Sequence, residues 1–117
     1  MVVSAHVDGC SVDYSVTKPW PGYINVDVGV TNLGDTIDGW TVTWSFDAGQ
    51  QLTGQSWGAV IIQEGNLVYA KNLHYNMRLE TNASISFNFE ASSDEQSSTK
   101  FNFSLNDVPC NGIVLST

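Results

Sequence analysis

At 117 residues, 42% apolar and 14% charged, the chain is long enough for one globular core and too apolar for a disordered segment. Twelve acidic residues against four basic ones leave a net charge of −8, which phosphate backbones and anionic lipid surfaces repel. That argues against nucleic-acid and membrane-surface roles and points to an uncharged partner, and no apolar run has the length of a bilayer span.

In chain order, "CSVDYSVT" (residues 10–17) puts Val12, Tyr14 and Val16 on one face. "KPWPGY" (residues 18–23) then breaks the alternation, because prolines on both sides of Trp20 fix φ and remove backbone donors. "YINVDVGVTN" restores it with Ile24, Val26, Val28 and Val30, and "GWTVTWSF" continues with Trp40, Val42, Trp44 and Phe46. Trp57 follows in a glycine-flanked stretch, "GQSWGA", and Tyr75 in "NLHYNM" after the strand-like "NLVYAKN". "SISFNFE" contributes Ile85, Phe87 and Phe89, and "KFNFSLN" contributes Phe101, Phe103 and Leu105, with the polar loop "ASSDEQSST" between them. Period-two alternation of this kind is produced by half-buried strands, and no window carries a 3.6-residue stripe. Short strands separated by Gly, Pro, Asn, Asp and Ser predict two packed antiparallel sheets. With no internal repeat and no linker, residues 1–117 form one domain, with its core between 10 and 110. The opening Met1-Val2-Val3 reads as a mature-domain boundary, and the tail "NGIVLST" as an edge strand or the start of a linker.

Cys10 and Cys110 lie near the two ends of the periodic region. Two isolated cysteines and two histidines do not make a zinc site, so no metal and no cofactor is expected. A disulfide joining the terminal strands is expected, with two buried thiols as the alternative; the bond would imply an oxidising, extracellular compartment. Closing a loop of that length is worth about 4–5 kcal/mol in the chain-entropy picture. Asn82 and Asn102 begin glycosylation sequons, NAS and NFS, which also occur by chance. No catalytic residues are assigned. Asp35 with Asp38, and Asp94 with Glu95, are turn-like solvated acids, and His6 and His74 have no readable triad partners.

The aromatic residues fall into two classes. Trp40, Trp44, Phe46, Phe87, Phe89, Phe101 and Phe103 keep strict alternation and belong to the core. Trp20, Trp57 and Tyr75 break it, each among Gly, Pro, Asn, Gln or His, the residues of strand ends and loops. Each has an ordinary alternative: Trp20 as a ring under a loop, Trp57 as core because it shares parity with Ala59 and Ile61, Tyr75 as an isolated surface ring. Brought to one face, the three would form an apolar patch of the kind that marks binding. A pyranose offers a C–H face to stack on a ring and equatorial hydroxyls that reach neighbouring amides such as Gln55 and Asn76. Rigid rings lose little conformational freedom on binding.

The chain resembles the family 2 carbohydrate-binding modules over residues 10–110, nearly its whole length. The resemblance rests on the terminal cysteine pair, "WPGYINVDVGVTN", "DGWTVTWSFDAGQ", "GQSWGAV", "KNLHYN" and "FNFSLNDVPC", in that order and spacing. It implies an all-β, jelly-roll-like sandwich of about nine strands with Cys10 bridged to Cys110. It places the family's three surface aromatics on Trp20, Trp57 and Tyr75 and its polar neighbours on Gln55 and Asp27. Tyr23 stands where the family carries glycine in binders of crystalline polysaccharide and arginine in xylan binders. Arg78 falls in "MRLETNAS", where the family has a Pro-Gly-Gly turn, and Lys18 and Glu90 replace common amides. The implied function is non-catalytic binding of insoluble β-1,4-linked polysaccharide, cellulose first, chitin or xylan as alternatives. The module would be monomeric, secreted and covalently linked to a glycoside hydrolase. An immunoglobulin-like structural or adhesion domain is the competing reading, and it would use no aromatic strip.

Overall fold

The computed structural model describes residues 9–17, 21–45, 51–92, 103–110 and 112–116, without the side chains of Thr17, Gly54, Gln55 and 112–116. The expectations for His6, Lys18, Trp20, Phe46, Asp94, Glu95, Phe101 and Asn102 lie outside the described residues.

The described residues form strands and turns with no helix. The first sheet is built from β1 (Cys10–Thr17), β2 (Tyr23–Asn32), β5 (Gln51–Trp57), β9 (Ser84–Ser92) and β12 (Gly112–Ser116), in the order β12-β1-β2-β9-β5. The second is built from β4 (Thr41–Ser45), β6 (Val60–Glu64), β7 (Leu67–Lys71), β10 (Ser104–Leu105) and β11 (Val108–Pro109), in the order β11-β10-β4-β7-β6. Two short strands, β3 (Ile37–Asp38) and β8 (Arg78–Leu79), pair with each other beside the sandwich. All pairings are antiparallel except β1 with β12, which run parallel. Residues 112–116 thus form an edge strand, and among the described residues the expected sandwich is antiparallel at every pairing but this one.

The alternation read from the sequence sets the two faces of each sheet. Val12, Tyr14, Val26, Val28, Phe87 and Phe89 are buried on the inner face of the first sheet, and Val42, Trp44, Val68 and Ala70 on that of the second. Residues one position away, such as Asp13, Asp27 and Thr43, point outward and are exposed or half-buried, as a strand period of two requires. Trp44 locks the layers together: its ring stacks on Phe87, Phe89 and Phe103 at centroid distances of 5.7, 5.3 and 5.3 Å. Trp40, just ahead of β4, adds a stacked contact with Phe87 at 6.2 Å, and Tyr14 meets Phe103 edge-on at 5.8 Å. These are offset and edge arrangements in which quadrupoles attract, beyond the area they bury.

Asn32 is the one buried polar residue among the described side chains, and its amide is fully used. Its Nδ2 donates to the Asp35 and Leu79 carbonyls at 2.8 and 3.1 Å, and its Oδ1 accepts from the Gly34 amide at 3.0 Å. The side chain therefore ties the end of β2 to the β3–β8 pair without leaving a polar atom stranded in the core. The Cys10–Cys110 disulfide closes the same end of the molecule, joining the start of β1 to the segment that leads into β12.

Candidate functional site

The outer face of the first sheet is a polar surface with aromatic rings at its margin. The strand register places Ser15 opposite Asp27, Asp27 opposite Asn88, and Asn88 opposite Trp57, one row across four strands. Within it, Asn88 Nδ2 donates to Asp27 Oδ1 at 2.6 Å and to Asn25 Oδ1 at 3.0 Å. The Asp27 carboxylate is thereby oriented while the residue stays exposed. A parallel row runs Tyr23, Ser92, Gln51. It lies four residues along β2 from Asp27, about 13 Å at the rise of an extended strand. Tyr23 is thus on the same outward face and is 39% exposed.

Trp57 ends β5 and is 62% exposed. Its parity with Ala59 and Ile61 suggested a core position, but the parity is broken at Gly58. There the chain leaves the first sheet with φ of +85° and enters β6 of the second, so Ala59 is buried while Trp57 stays outside. Gly58 presses on β9: a Cβ at this position would sit 2.6 Å from the Ser86 carbonyl oxygen and 3.2 Å from Phe87 Cα. Only glycine fits both the conformation and the space. The resulting shallow depression beside the Trp57 ring is lined by Asp27, Gly58, Ser86, Phe87 and Asn88.

Tyr75 is the most exposed large apolar side chain among the described residues, at 71%. It sits in the turn between β7 and β8, which is anchored to the core from below. The Trp40 backbone amide donates to Asn72 Oδ1 at 2.9 Å, and the Trp40 indole Nε1 donates to the Asn76 carbonyl at 2.8 Å. Gly39 N donates to the Met77 carbonyl at 2.8 Å, fixing the exit of the loop. His74 stands perpendicular to the Tyr75 ring with centroids 5.5 Å apart. Asn76 turns its amide inward: Nδ2 donates to the Gly58 carbonyl at 3.0 Å and Oδ1 accepts from Leu73 N at 2.7 Å. The turns that carry Trp57 and Tyr75 are consequently neighbours.

Arg78 lies just past this loop and pairs with Asp38 at 3.5 Å and Glu80 at 3.2 Å, both exposed. Such pairs contribute little to stability, but they aim the guanidinium toward carboxylates. Among the described residues no group of three or more His, Cys, Asp or Glu could hold a metal ion. Of the expected site residues, Asp27, Tyr23 and Trp57 share the first sheet's face or edge, and Tyr75 and Asn76 adjoin Trp57. Gln55 lies in β5 with its side chain undescribed, and Trp20 precedes Tyr23 outside the described residues. Sequence reasoning missed Asn88, Ser86 and Gly58. The alternation of "SISFNFE" already turns Ser86 and Asn88 outward, but only the register of β9 brings them beside Trp57.

A family profile described as "Cellulose binding domain" matches residues 10–110. The chain is 37% identical over 107 residues to endoglucanase CelA of Streptomyces lividans, covering 91% of this chain and 23% of that protein. It is 38% identical over 109 residues to endoglucanase A of Cellulomonas fimi, covering 93% of this chain and 24% of that protein. The chain therefore spans about a quarter of the length of the curated relatives it matches. Among solved structures, the chitin-binding domain of Chi18aC from Streptomyces coelicolor superposes with a TM-score of 0.71 at 30% identity, covering 90% of this chain and 97% of that one. A match over nearly the whole sandwich, with the disulfide in place at its ends, is decisive: the chain belongs to the cellulose binding domain family.

Proposed function

We propose that residues 1–117 are a single non-catalytic module that holds a covalently attached glycoside hydrolase against insoluble β-1,4-linked polysaccharide, with cellulose as the principal ligand. Trp57 and Tyr75, together with Trp20, stack on the C–H faces of successive sugar rings. Asp27 and Tyr23, with Gln55, receive hydroxyls at the sides of the chain, while Asn76 serves the loop beneath. The module works outside the cell as a monomer and takes neither nucleic acid nor a cofactor. Tethering raises the local concentration of the attached enzyme at the solid. The observation that carries this reading is the pair of rings, 62% and 71% exposed, on neighbouring turns at the rim of a polar sheet face. Exposed apolar rings of this size cost solubility unless something covers them, and a flat, uncharged polymer does so without ion pairing.

The test is depletion of the protein from solution by microcrystalline cellulose, chitin and insoluble xylan, at low and high salt. Retention on cellulose that survives high salt is expected, since stacking is not screened. For Trp57→Ala the loss follows from the exposed ring: one face is about a third of the ~200 Å² an aromatic side chain can bury, and at about 25 cal/mol per Å² its covering is worth about 1.6 kcal/mol, or roughly fifteenfold in affinity. Tyr75→Ala and Trp20→Ala should lose affinity likewise while the fold survives. Binding that is unchanged in all three variants removes the assigned face. Chitin is the second reading, favoured by the 30% identity to a solved chitin-binding domain. Stronger retention on chitin than on cellulose would select it.

A further inference from the structure

Asn76 makes more hydrogen bonds than a turn needs. Its Oδ1 accepts from Leu73 N at 2.7 Å and its own N–H donates to the Leu73 carbonyl at 3.3 Å, which closes the turn over His74 and Tyr75. Its carbonyl accepts from the indole of Trp40, a fully buried core residue, which ties the turn to the sandwich. The remaining group, Nδ2, reaches 3.0 Å across to the carbonyl of Gly58, eighteen residues earlier in the chain. That last bond closes no turn and belongs to no ladder. It runs between the residue after Tyr75 and the residue after Trp57, the two most exposed large apolar side chains among the described residues.

We infer that Asn76 is a positioning residue: its Nδ2 braces the Tyr75 loop to the Trp57 turn, so that the two rings meet a polysaccharide surface as one rigid unit. This rests on the function proposed above and goes beyond it, since it assigns affinity to a side chain that touches no sugar. A solid ligand makes the brace matter. The sugar rings of an insoluble fibre are fixed relative to one another and cannot adjust to two protein rings that move independently. Two rings held in register gain the second contact at high effective concentration, whereas two unlinked rings must be ordered at the moment of binding. Gly58 makes the brace stiff on its own side. Its backbone lies so close to β9 that an added Cβ would sit 2.6 Å from the Ser86 carbonyl oxygen, and Trp40 holds the loop from beneath.

Asn76 differs from the rings in the way losses combine. Asn76→Asp keeps an oxygen for Leu73 N and replaces the Nδ2 donor by an oxygen facing the Gly58 carbonyl. Asn76→Ser removes the Nδ2 donor without adding charge, its side chain ending one bond short of the atom that reaches Gly58. Binding isotherms on microcrystalline cellulose are measured for the wild type, for each variant, and for each combined with Tyr75→Ala. Either Asn76 variant should weaken binding about five- to tenfold with Tyr75 present, the scale of one net hydrogen bond, and less than twofold when Tyr75 is absent. A merely structural residue would cost the same in both backgrounds. If Trp20→Ala, Trp57→Ala and Tyr75→Ala all bind as the wild type does, the assigned face falls and the brace falls with it. If those variants lose binding while the Asn76 variants cost nothing, or cost equally with and without Tyr75, the face stands and the brace is overturned.

Discussion

Gly58→Ala tests the close approach that puts Trp57 outside the sandwich. The added methyl would sit 2.6 Å from the Ser86 carbonyl oxygen. Ordinary carbon–oxygen contacts begin near 3.3 Å, so the turn or β9 must give by about 0.7 Å. The obstacle is backbone, whose oxygen belongs to the strand that carries Phe87 and Phe89 in the core, so the displacement is not absorbed by a side-chain rotation. Overpacking of this kind costs about 1–3 kcal/mol. Holding alanine at φ of +85° adds about 1–2 kcal/mol. The sum, about 2–5 kcal/mol, is a large part of the whole stability of a small domain. Gly65 supplies the control. It also has positive φ, +63°, but a Cβ there meets nothing within 4 Å. Gly65→Ala should therefore cost only the conformational part, about 1–2 kcal/mol. Urea unfolding of the two variants reads the difference directly. Equal losses of stability would refute the argument that Gly58 is required by space rather than by conformation alone.

Two further outcomes follow from the core and the disulfide. Trp44→Ala removes the ring that stacks on Phe87, Phe89 and Phe103, and should cost about 3–5 kcal/mol of unfolding free energy while the remaining folded protein binds normally; an unaltered melting curve would contradict its place in the core. Reduction of Cys10–Cys110, whose partners lie 100 residues apart, should cost up to about 4–5 kcal/mol through the freed chain, and Cys10→Ser with Cys110→Ser should melt with the reduced wild type; a reductant-independent melting temperature would show that the ends are held without the bond.

The strands that were legible are those with a clean inside and outside. "CSVDYSVT" and "YINVDVGVTN" coincide with β1 and β2, and "SISFNFE" lies within β9, because one face of each meets the core and the other meets water. β5 and β6 were not legible. "QLTGQSW" alternates poorly and its pairing with β9 shifts register between Leu52 and Ser56. "VIIQE" exposes Val60 and Ile62 on an edge strand, so its apolar run carries no period. The same break explains Trp57. Parity counts faces correctly only while the chain stays in one sheet, and Gly58 is where it changes sheets.

The candidate site was legible as a set of residue types and not as an arrangement, and the reason is topological. Tyr23, Asp27, Asn88 and Trp57 come from β2, β9 and β5, whose adjacency is a matter of long-range pairing: Asn88 and Asn25 bond across 63 positions of sequence. No local pattern encodes which polar residue of β9 will face Trp57, since a shift of two residues preserves every inward and outward assignment and would bring Ser86 or Glu90 there instead. The register is decided by the core, where Trp44 inserts against Phe87 and Phe89 together and thereby fixes β9 along its axis. Asn76 shows the same dependence at the scale of one side chain. In the sequence it is an amide beside an exposed ring, well suited to a sugar hydroxyl; in the fold its donor is already directed at Gly58. The surface that would meet the polysaccharide is thus set by contacts the polysaccharide never touches, and the placing of its two rings depends on how firmly the core holds their turns.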